Sequence, residues 1–436
     1  MEPATHRGPE TNRYDERTMR FLGAVLLCLV CSSHLAAQGD FYLKDGDTVV
    51  FYGDSITDQR LYTTFTEAYV VTRFPKLNIR FVHSGWPGDR VDGGIGGLID
   101  TRLRRDVVAY QPTVVTLMLG MNDAGYRLFD PDLFKSYRIG YEHIVKTLKM
   151  ALPNVRLTAI QPSPYDDITR PPMFEGGYNN VLISYGKFVR ELATREGLLC
   201  ADLNTSVGAA LGRANQADPV LAQKLIPDRV HPSAPIHFLM AEALLKAWNA
   251  PAVVSEVEID ASSLTARRAV NTSISELSNE GGIAWTEVDN SLPMPIETFP
   301  SGELVRLALR SSDFMDALNR ETLSVTGLTP GRKYELHIDG QAIATHAADQ
   351  WSAGVDLSEA DTPMSKQALD VLKLIYRHNN LHWARWHMIQ TSFETDQPPS
   401  MDRAMAALDT LDAEVAAMAR AKAQPKPHRY ELVAVE

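Results

Sequence analysis

The sequence predicts an α/β fold, a parallel sheet with helices on both faces, followed by a small antiparallel β domain with C-terminal helices. Three observations carry this. Between about residues 40 and 250, short β-branched runs alternate with helical patterns. Most of those runs are apolar enough to be covered on both faces, as parallel strands are. After Pro251 the texture changes to short alternating runs separated by turn signals.

In the first part the predicted strands are Thr48 to Tyr52, Ile79 to Ser84, Thr113 to Leu119, Arg156 to Gln161 and Leu198 to Asp202. One intervening helix starts at Asp130-Pro131 and carries Phe134, Tyr137, Tyr141, Ile144 and Leu148 at helical spacing. Another places Val181, Leu182, Tyr185, Phe188, Val189 and Leu192 on one face and stops at Gly197. In the second part, Glu303 to Leu309, Thr322 to Leu328, Lys333 to Ile338 and Gln341 to Thr345 read as strands. Thr329-Pro330-Gly331 and Asp339-Gly340 read as hairpin turns. Helices are predicted from about Pro363 to His387 and from Met401 to Ala423, with a last strand over Tyr430 to Val435.

Length and composition bound the function. At 436 residues, 44% hydrophobic and 22% charged, the chain is a globular protein of more than one domain. With 43 basic against 54 acidic side chains, a net charge of −11 and no Lys/Arg-rich run, nucleic acid is excluded as the expected partner. The apolar run Phe21 to Val30, ending in Cys31-Ser32-Ser33-His34-Leu35-Ala36-Ala37, fits a signal peptide cut near Ala37 and is too short to span a bilayer. No later segment reads as a membrane span. The expected product is therefore exported, periplasmic or extracellular, with residues 1–37 as leader, 38–250 as the α/β domain and 251–436 as accessory β domain with helical segments. Cys28 and Cys31 lie in the leader, so Cys200 is the sole cysteine of the mature chain and reads as a small core residue.

The loops after the first three strands converge on one edge of an open parallel sheet. They deliver Ser55 in Gly53-Asp54-Ser55-Ile56-Thr57, Gly88 in Trp86-Pro87-Gly88-Asp89, and Asn122 in Gly120-Met121-Asn122-Asp123. A hydroxyl, a backbone N–H without a neighbouring Cβ, and a side-chain amide are what acyl transfer needs: a nucleophile, and donors around the developing oxyanion. The hydroxyl also needs a base. Pro227-Asp228-Arg229-Val230-His231 supplies one in His231, with Asp228 three residues earlier to hold the imidazole in one tautomer. This chemistry calls for no metal and no organic cofactor.

These four blocks, in this order, resemble the SGNH or GDSL hydrolases over about residues 45 to 250. The resemblance implies a flavodoxin-like three-layer fold, Ser55 as nucleophile, His231 as base and Asp228 as its orienter. It also implies an oxyanion hole made by the Ser55 N–H, the Gly88 N–H and the Asn122 side chain. The second block departs from the family, whose members often carry Asn where His83 or Ser84 stands, so the pinning of that loop is left to the structure. No Gly-x-Ser-x-Gly elbow occurs in the chain.

Other candidates receive plainer readings. Asp54 and Asp123 are expected to bond nearby loop amides, while Trp86, Arg90 and Tyr165 fall in loops on the active edge. His378 and His382, four apart with His387 nearby, resemble metal-ligand spacing, but no clear carboxylate ligand accompanies them and they read as packed or surface histidines. Trp383-Ala384-Arg385-Trp386 is expected to dock its helix against the β domain. The expected substrate is an ester, with acetylated polysaccharide or oligosaccharide favoured by export and the accessory domain. The alternatives are a lipase or arylesterase acting on lipid or small esters, and a non-catalytic glycan-binding protein on the same fold.

Overall fold

A computed structural model describes residue 1 and residues 40–298 and 302–435. The predicted leader, with Cys28 and Cys31, lies outside the described residues. Residues from Phe41 onward form one compact unit.

Its centre is a sheet of five parallel strands, β1 (Thr48–Gly53), β2 (Arg80–Gly85), β3 (Val114–Met118), β4 (Arg156–Ile160) and β5 (Leu199–Ala201), in the order β2-β1-β3-β4-β5. All five predicted strands are present within a residue or two. Val49 to Tyr52 and Val114, Val115 and Leu117 are fully buried, as strands covered on both faces must be. One face carries α1 (Leu61–Arg73). The other carries α2 (Ile99–Asp106), α3 (Pro131–Ala151) and α4 (Tyr178–Glu196), while α5 (Leu203–Ala217) and α6 (Ala234–Ala247) return to the side of α1. The caps are those read from the sequence. Asp130 accepts the N–H groups of Asp132 and Leu133 ahead of α3, and Gly197, at φ +67°, closes α4. The order 2-1-3-4-5 turns at β1 and β3, and in such sheets the crevice beyond the strand C-termini there holds the site.

The C-terminal part contains two further sheets. One pairs β6 (Val253–Asp260), β7 (Thr265–Val270) and β10 (Arg320–Thr326); the other pairs β8 (Thr272–Ser278), β9 (Ile283–Asp289), β11 (Lys333–Ile338), β12 (Gln341–Ala347) and β13 (His428–Val435). They enclose a core of their own around Trp285, Leu336, Trp351 and Leu432. Asp339-Gly340 is the β11–β12 hairpin turn, with both residues at positive φ as a type I′ turn requires. The other predicted turn is corrected: Thr329-Pro330-Gly331 carries the chain from one sheet to the other, since β10 and β11 do not pair. The β6–β10 pair is parallel, and the remaining strand pairs described in this part are antiparallel.

A second correction concerns Glu303 to Leu309. These residues form α7 (Gly302–Arg310), not a strand. Val305, Ala308 and Leu309 are buried at helical spacing, and over seven residues the alternation could not distinguish the two periods. Helices α8 (Pro363–Trp383) and α9 (Met401–Lys422) pack on each other, and α8 also packs on α1. Val371, Leu372 and Ile375 of α8 and Val305 and Leu309 of α7 belong to the same apolar core as the parallel sheet. A π-helical run, Ala384–Gln390, continues α8.

Candidate active site

The three loops predicted to meet do so at the C-terminal ends of β1, β2 and β3. Beyond β1, Gly53 lies against Thr57 and the Met118 carbonyl, leaving no room for a Cβ. Asp54 then caps a single turn, Ser55–Asp58, its Oδ1 accepting the Ile56 N–H at 3.0 Å. This is the local role read for Asp54. Ser55 stands at the first position of that turn, half-buried, its hydroxyl turned toward the loop before α6.

There His231 Nε2 lies 2.9 Å from Ser55 Oγ, and His231 Nδ1 lies 2.6 Å from Asp228 Oδ2. The other carboxylate oxygen, Asp228 Oδ1, accepts the N–H groups of Val230 and His231 at 3.0 and 2.8 Å. A carboxylate so held keeps the imidazole proton on Nδ1 and leaves Nε2 free to accept from serine. Burial alone would raise the Asp228 pKa, but the hydrogen bonds from His231 and the two backbone amides outweigh it and hold the carboxyl below its usual range. The loop is itself anchored. Arg229, at φ +73°, accepts the Asp166 N–H at its carbonyl, and its guanidinium donates to the carbonyls of Asp166 and Pro171. The loop after β4 thus holds the base loop in place.

In the loop after β2, Gly88 is exposed at φ +75°, a conformation that favours glycine, with open space where a Cβ would stand. Asn122 donates from Nδ2 to the Asp89 carbonyl at 3.0 Å and accepts the Tyr126 hydroxyl at Oδ1 at 2.9 Å. These two bonds fix the amide plane and leave one Nδ2 hydrogen uncommitted. The Ser55 and Gly88 N–H groups donate to no acceptor among the described residues. Asp123 does what its neighbour position suggested: its Oδ1 accepts the Val91 N–H at 2.9 Å and ties the third loop to the second. Burial pushes both Asp54 and Asp123 up to about 7.

Tyr126 was not singled out by the sequence reading. Its signal was modest, a tyrosine four residues after Asn122 behind Ala124-Gly125. It sits at φ +55°, a sparsely populated region for a non-glycine residue, and its ring stacks on Tyr178 at 5.0 Å. The pinning of the second loop is answered by Arg102, also unforeseen. Arg102 is fully buried, and its Nε donates to Asp89 Oδ2 at 2.8 Å while another nitrogen donates to the Ser84 carbonyl at 3.1 Å.

The remaining edge residues have structural partners. Trp86 is buried and stacks on His387 at 4.0 Å, Tyr165 is buried with its hydroxyl 3.1 Å from Met173 Sδ, and Arg90 is exposed and pairs with Asp92. His378 is bonded to Glu67 and Asp412, His382 stacks on Trp386, and His387 lies between Trp86 and Trp383. These are packed histidines, as read. The segment Trp383 to Trp386 corrects its expectation: it docks on the parallel-sheet layer, where Trp383 Nε1 donates to Asp58 and Trp386 Nε1 to Asp106. Cys200 is half-buried in β5, with its thiol pKa raised by burial.

Comparison with known proteins places the chain beside ester hydrolases. The sequence model of the GDSL-like lipase/acylhydrolase family matches residues 51–237. An acetylxylan esterase of Geobacillus stearothermophilus is 28% identical over 225 residues, which are 47% of this chain and 94% of that protein. The solved structure of a gut microbial diltiazem-metabolizing enzyme is 26% identical and superimposes with a TM-score of 0.78, covering 92% of this chain and all of that one.

Proposed function

The chain is an SGNH/GDSL-family ester hydrolase, and from that premise we propose that it cleaves acetyl esters of carbohydrate, outside the cytoplasm, through an acyl-enzyme on Ser55. The observation that carries the site assignment is the continuous chain Ser55 Oγ, His231 Nε2, His231 Nδ1, Asp228 Oδ2, with links of 2.9 and 2.6 Å.

Ser55 gives its proton to His231 Nε2 as it attacks the ester carbonyl, and Asp228 stabilises the imidazolium. The oxyanion is received by the Ser55 and Gly88 N–H groups and by the free Nδ2 hydrogen of Asn122. The alcohol leaves with the proton from His231, and water, activated by the same imidazole, frees the acid. Neutral His231 is the form that can accept from Ser55.

The acetylated-carbohydrate reading draws on the likeness to an acetylxylan esterase and on the leader-like run before residue 38. A second reading, hydrolysis of small esters, draws on the likeness across nearly the whole chain to a diltiazem-metabolizing enzyme. Acetate release from acetylated xylan, pectin and sialic acid, measured beside diltiazem and p-nitrophenyl esters of increasing acyl length, separates them. Preference for acetylated glycans supports the first. Rates that rise with acyl length, or activity confined to the small esters, overturn it. Ser55→Ala is expected to abolish every one of these activities, and hydrolysis that survives this change removes Ser55 as nucleophile.

A further inference from the structure

The end of α8 and the π-helical run after it reach two of the three loops that hold the oxyanion donors. Asp89, directly after Gly88, is fully buried, and its carbonyl receives the Asn122 amide while its Oδ2 receives Arg102 and, at 3.3 Å, the Tyr52 hydroxyl. The position of Asp89 therefore sets both the Gly88 N–H and the Asn122 amide. Arg102 also binds the Asp106 carboxylate, which is fully buried. Asp106 in turn accepts Trp386 Nε1 at 2.5 Å from 280 residues further along the chain, and Arg105 Nε at 2.6 Å.

The same run touches the site twice more. Trp386 meets the ring of Trp86 edge-on at 5.5 Å, and His387 stacks on Trp86, two residues before Gly88. Trp383, the last residue of α8, stacks on the His387 ring at 5.0 Å and donates to Asp58, three residues after Ser55. A π-helical register (i→i+5) widens the turn by about one residue and is frequently found at functional sites. Here Trp383, Trp386 and His387 all face the parallel-sheet layer.

We propose that Trp386 is a positioning residue for the oxyanion hole, acting through Asp106, Arg102 and Asp89 on Gly88 and Asn122. This makes the C-terminal segment part of the catalytic apparatus. It rests on the reading of Ser55, Gly88 and Asn122 given above. A buried ionic relay contributes fixed geometry more dependably than net stability, and an oxyanion hole needs that geometry, because displacements of about 1 Å cost about 100-fold in rate.

The test uses the full chain. Trp386→Phe keeps the ring and its stacking but removes the N–H. The control is Trp285→Phe, which removes an equivalent indole bond, 3.0 Å to the buried Glu287, inside the β sandwich. For p-nitrophenyl acetate, W386F is expected to lose about 5- to 50-fold in kcat, by the same misplacement argument, with KM and the midpoint of the acid limb unchanged. A trifluoromethyl ketone, which forms an oxyanion adduct on serine, should bind W386F more weakly by the same factor. W285F is expected to keep wild-type kcat. Wild-type kcat in W386F, a loss confined to KM, or an equal loss in W285F overturns the proposal. If W386F does not fold, Asp106→Asn, which keeps the side-chain shape but gives up the carboxylate between Trp386 and Arg102, decides by the same criteria, with an expected fall of about 2- to 5-fold on the same argument. The Ser55→Ala result is independent: activity that survives S55A defeats the nucleophile assignment, whereas an inactive S55A beside a fully active W386F defeats only the relay.

Discussion

His231 Nδ1 lies 2.6 Å from Asp228 Oδ2 at the catalytic edge, and His378 Nε2 lies 2.6 Å from Glu67 Oε1 at the seam between α1 and α8. The bond lengths are the same and the surroundings are opposite. Side chains of the first pair are 41% and 56% exposed; those of the second are 3% and 4% exposed. Glu67 also takes His83 at 3.2 Å, and His378 also takes Asp412 at 3.2 Å. Burial alone would raise Glu67 and lower His378. The facing charges and hydrogen bonds outweigh it, holding Glu67 down to about 2 and His378 up to about 10. The open pair leaves the imidazole within reach of Ser55 and of solvent. A buried pair that stays charged over a wide range works as a tie, here joining the C-terminal helices to the parallel-sheet layer.

The comparison breaks most decisively at the open pair. His231→Ala leaves Ser55 without a proton acceptor, and kcat is expected to fall by about 10⁴ or more, as in other triads. Urea unfolding of the same variant should stay within about 0.5 kcal/mol of wild type, as surface changes do. Asp228→Asn is next. Its Oδ1 can still accept the Val230 and His231 amides, but its NH₂ faces Nδ1 and forces the proton onto Nε2, so kcat should fall by about 10²- to 10⁴-fold with stability nearly unchanged. If either variant instead unfolds, the catalytic edge is a structural tie after all.

At the seam the effects should reverse. His378→Ala leaves Glu67 buried with His83 alone, and unfolding measurements should show a loss of about 3 to 5 kcal/mol while the folded variant keeps its kcat. The smallest expected effect is the pH course of this tie. The Glu67 contribution is full above its ordinary value of 4.5 and vanishes as pH falls through about 2. That of His378 is full below 6.5 and vanishes as pH rises through about 10. Both act together between about pH 4.5 and 6.5. The stability gap between wild type and His378→Gln should therefore be widest in that window and shrink toward pH 10. A gap independent of pH would mean that packing, not charge, holds the seam.

Much of the catalytic layer was legible because its signals are local. Asp130-Pro131 and Gly197 mark helix ends through their own backbone preferences, and the apolar strands declare their burial on both faces. Ser55, Gly88, Asn122, Asp228 and His231 could be named because each directly follows a strand or precedes a helix in a short motif. The errors came where local pattern is ambiguous or the partner is remote. Glu303 to Leu309 fits two periodicities over seven residues, and only its burial against the main core makes it a helix. Thr329-Pro330-Gly331 has the composition of a hairpin turn, but which sheet the next strand joins depends on pairing with β13, about a hundred residues later.

The sequence by itself determined the parallel sheet, its helices, and the five residues placed at its edge, since these rest on short-range periodicity and on loop chemistry at strand ends. Tertiary structure alone decided how those residues are held. Tyr126 on Asn122, Arg102 on Asp89, and Trp386 on Asp106 are bonds between side chains whose donors and acceptors carry no mark of their partners. A buried polar group must be satisfied by whatever the fold brings to it, and for Asp106 that is a tryptophan from the far end of the chain.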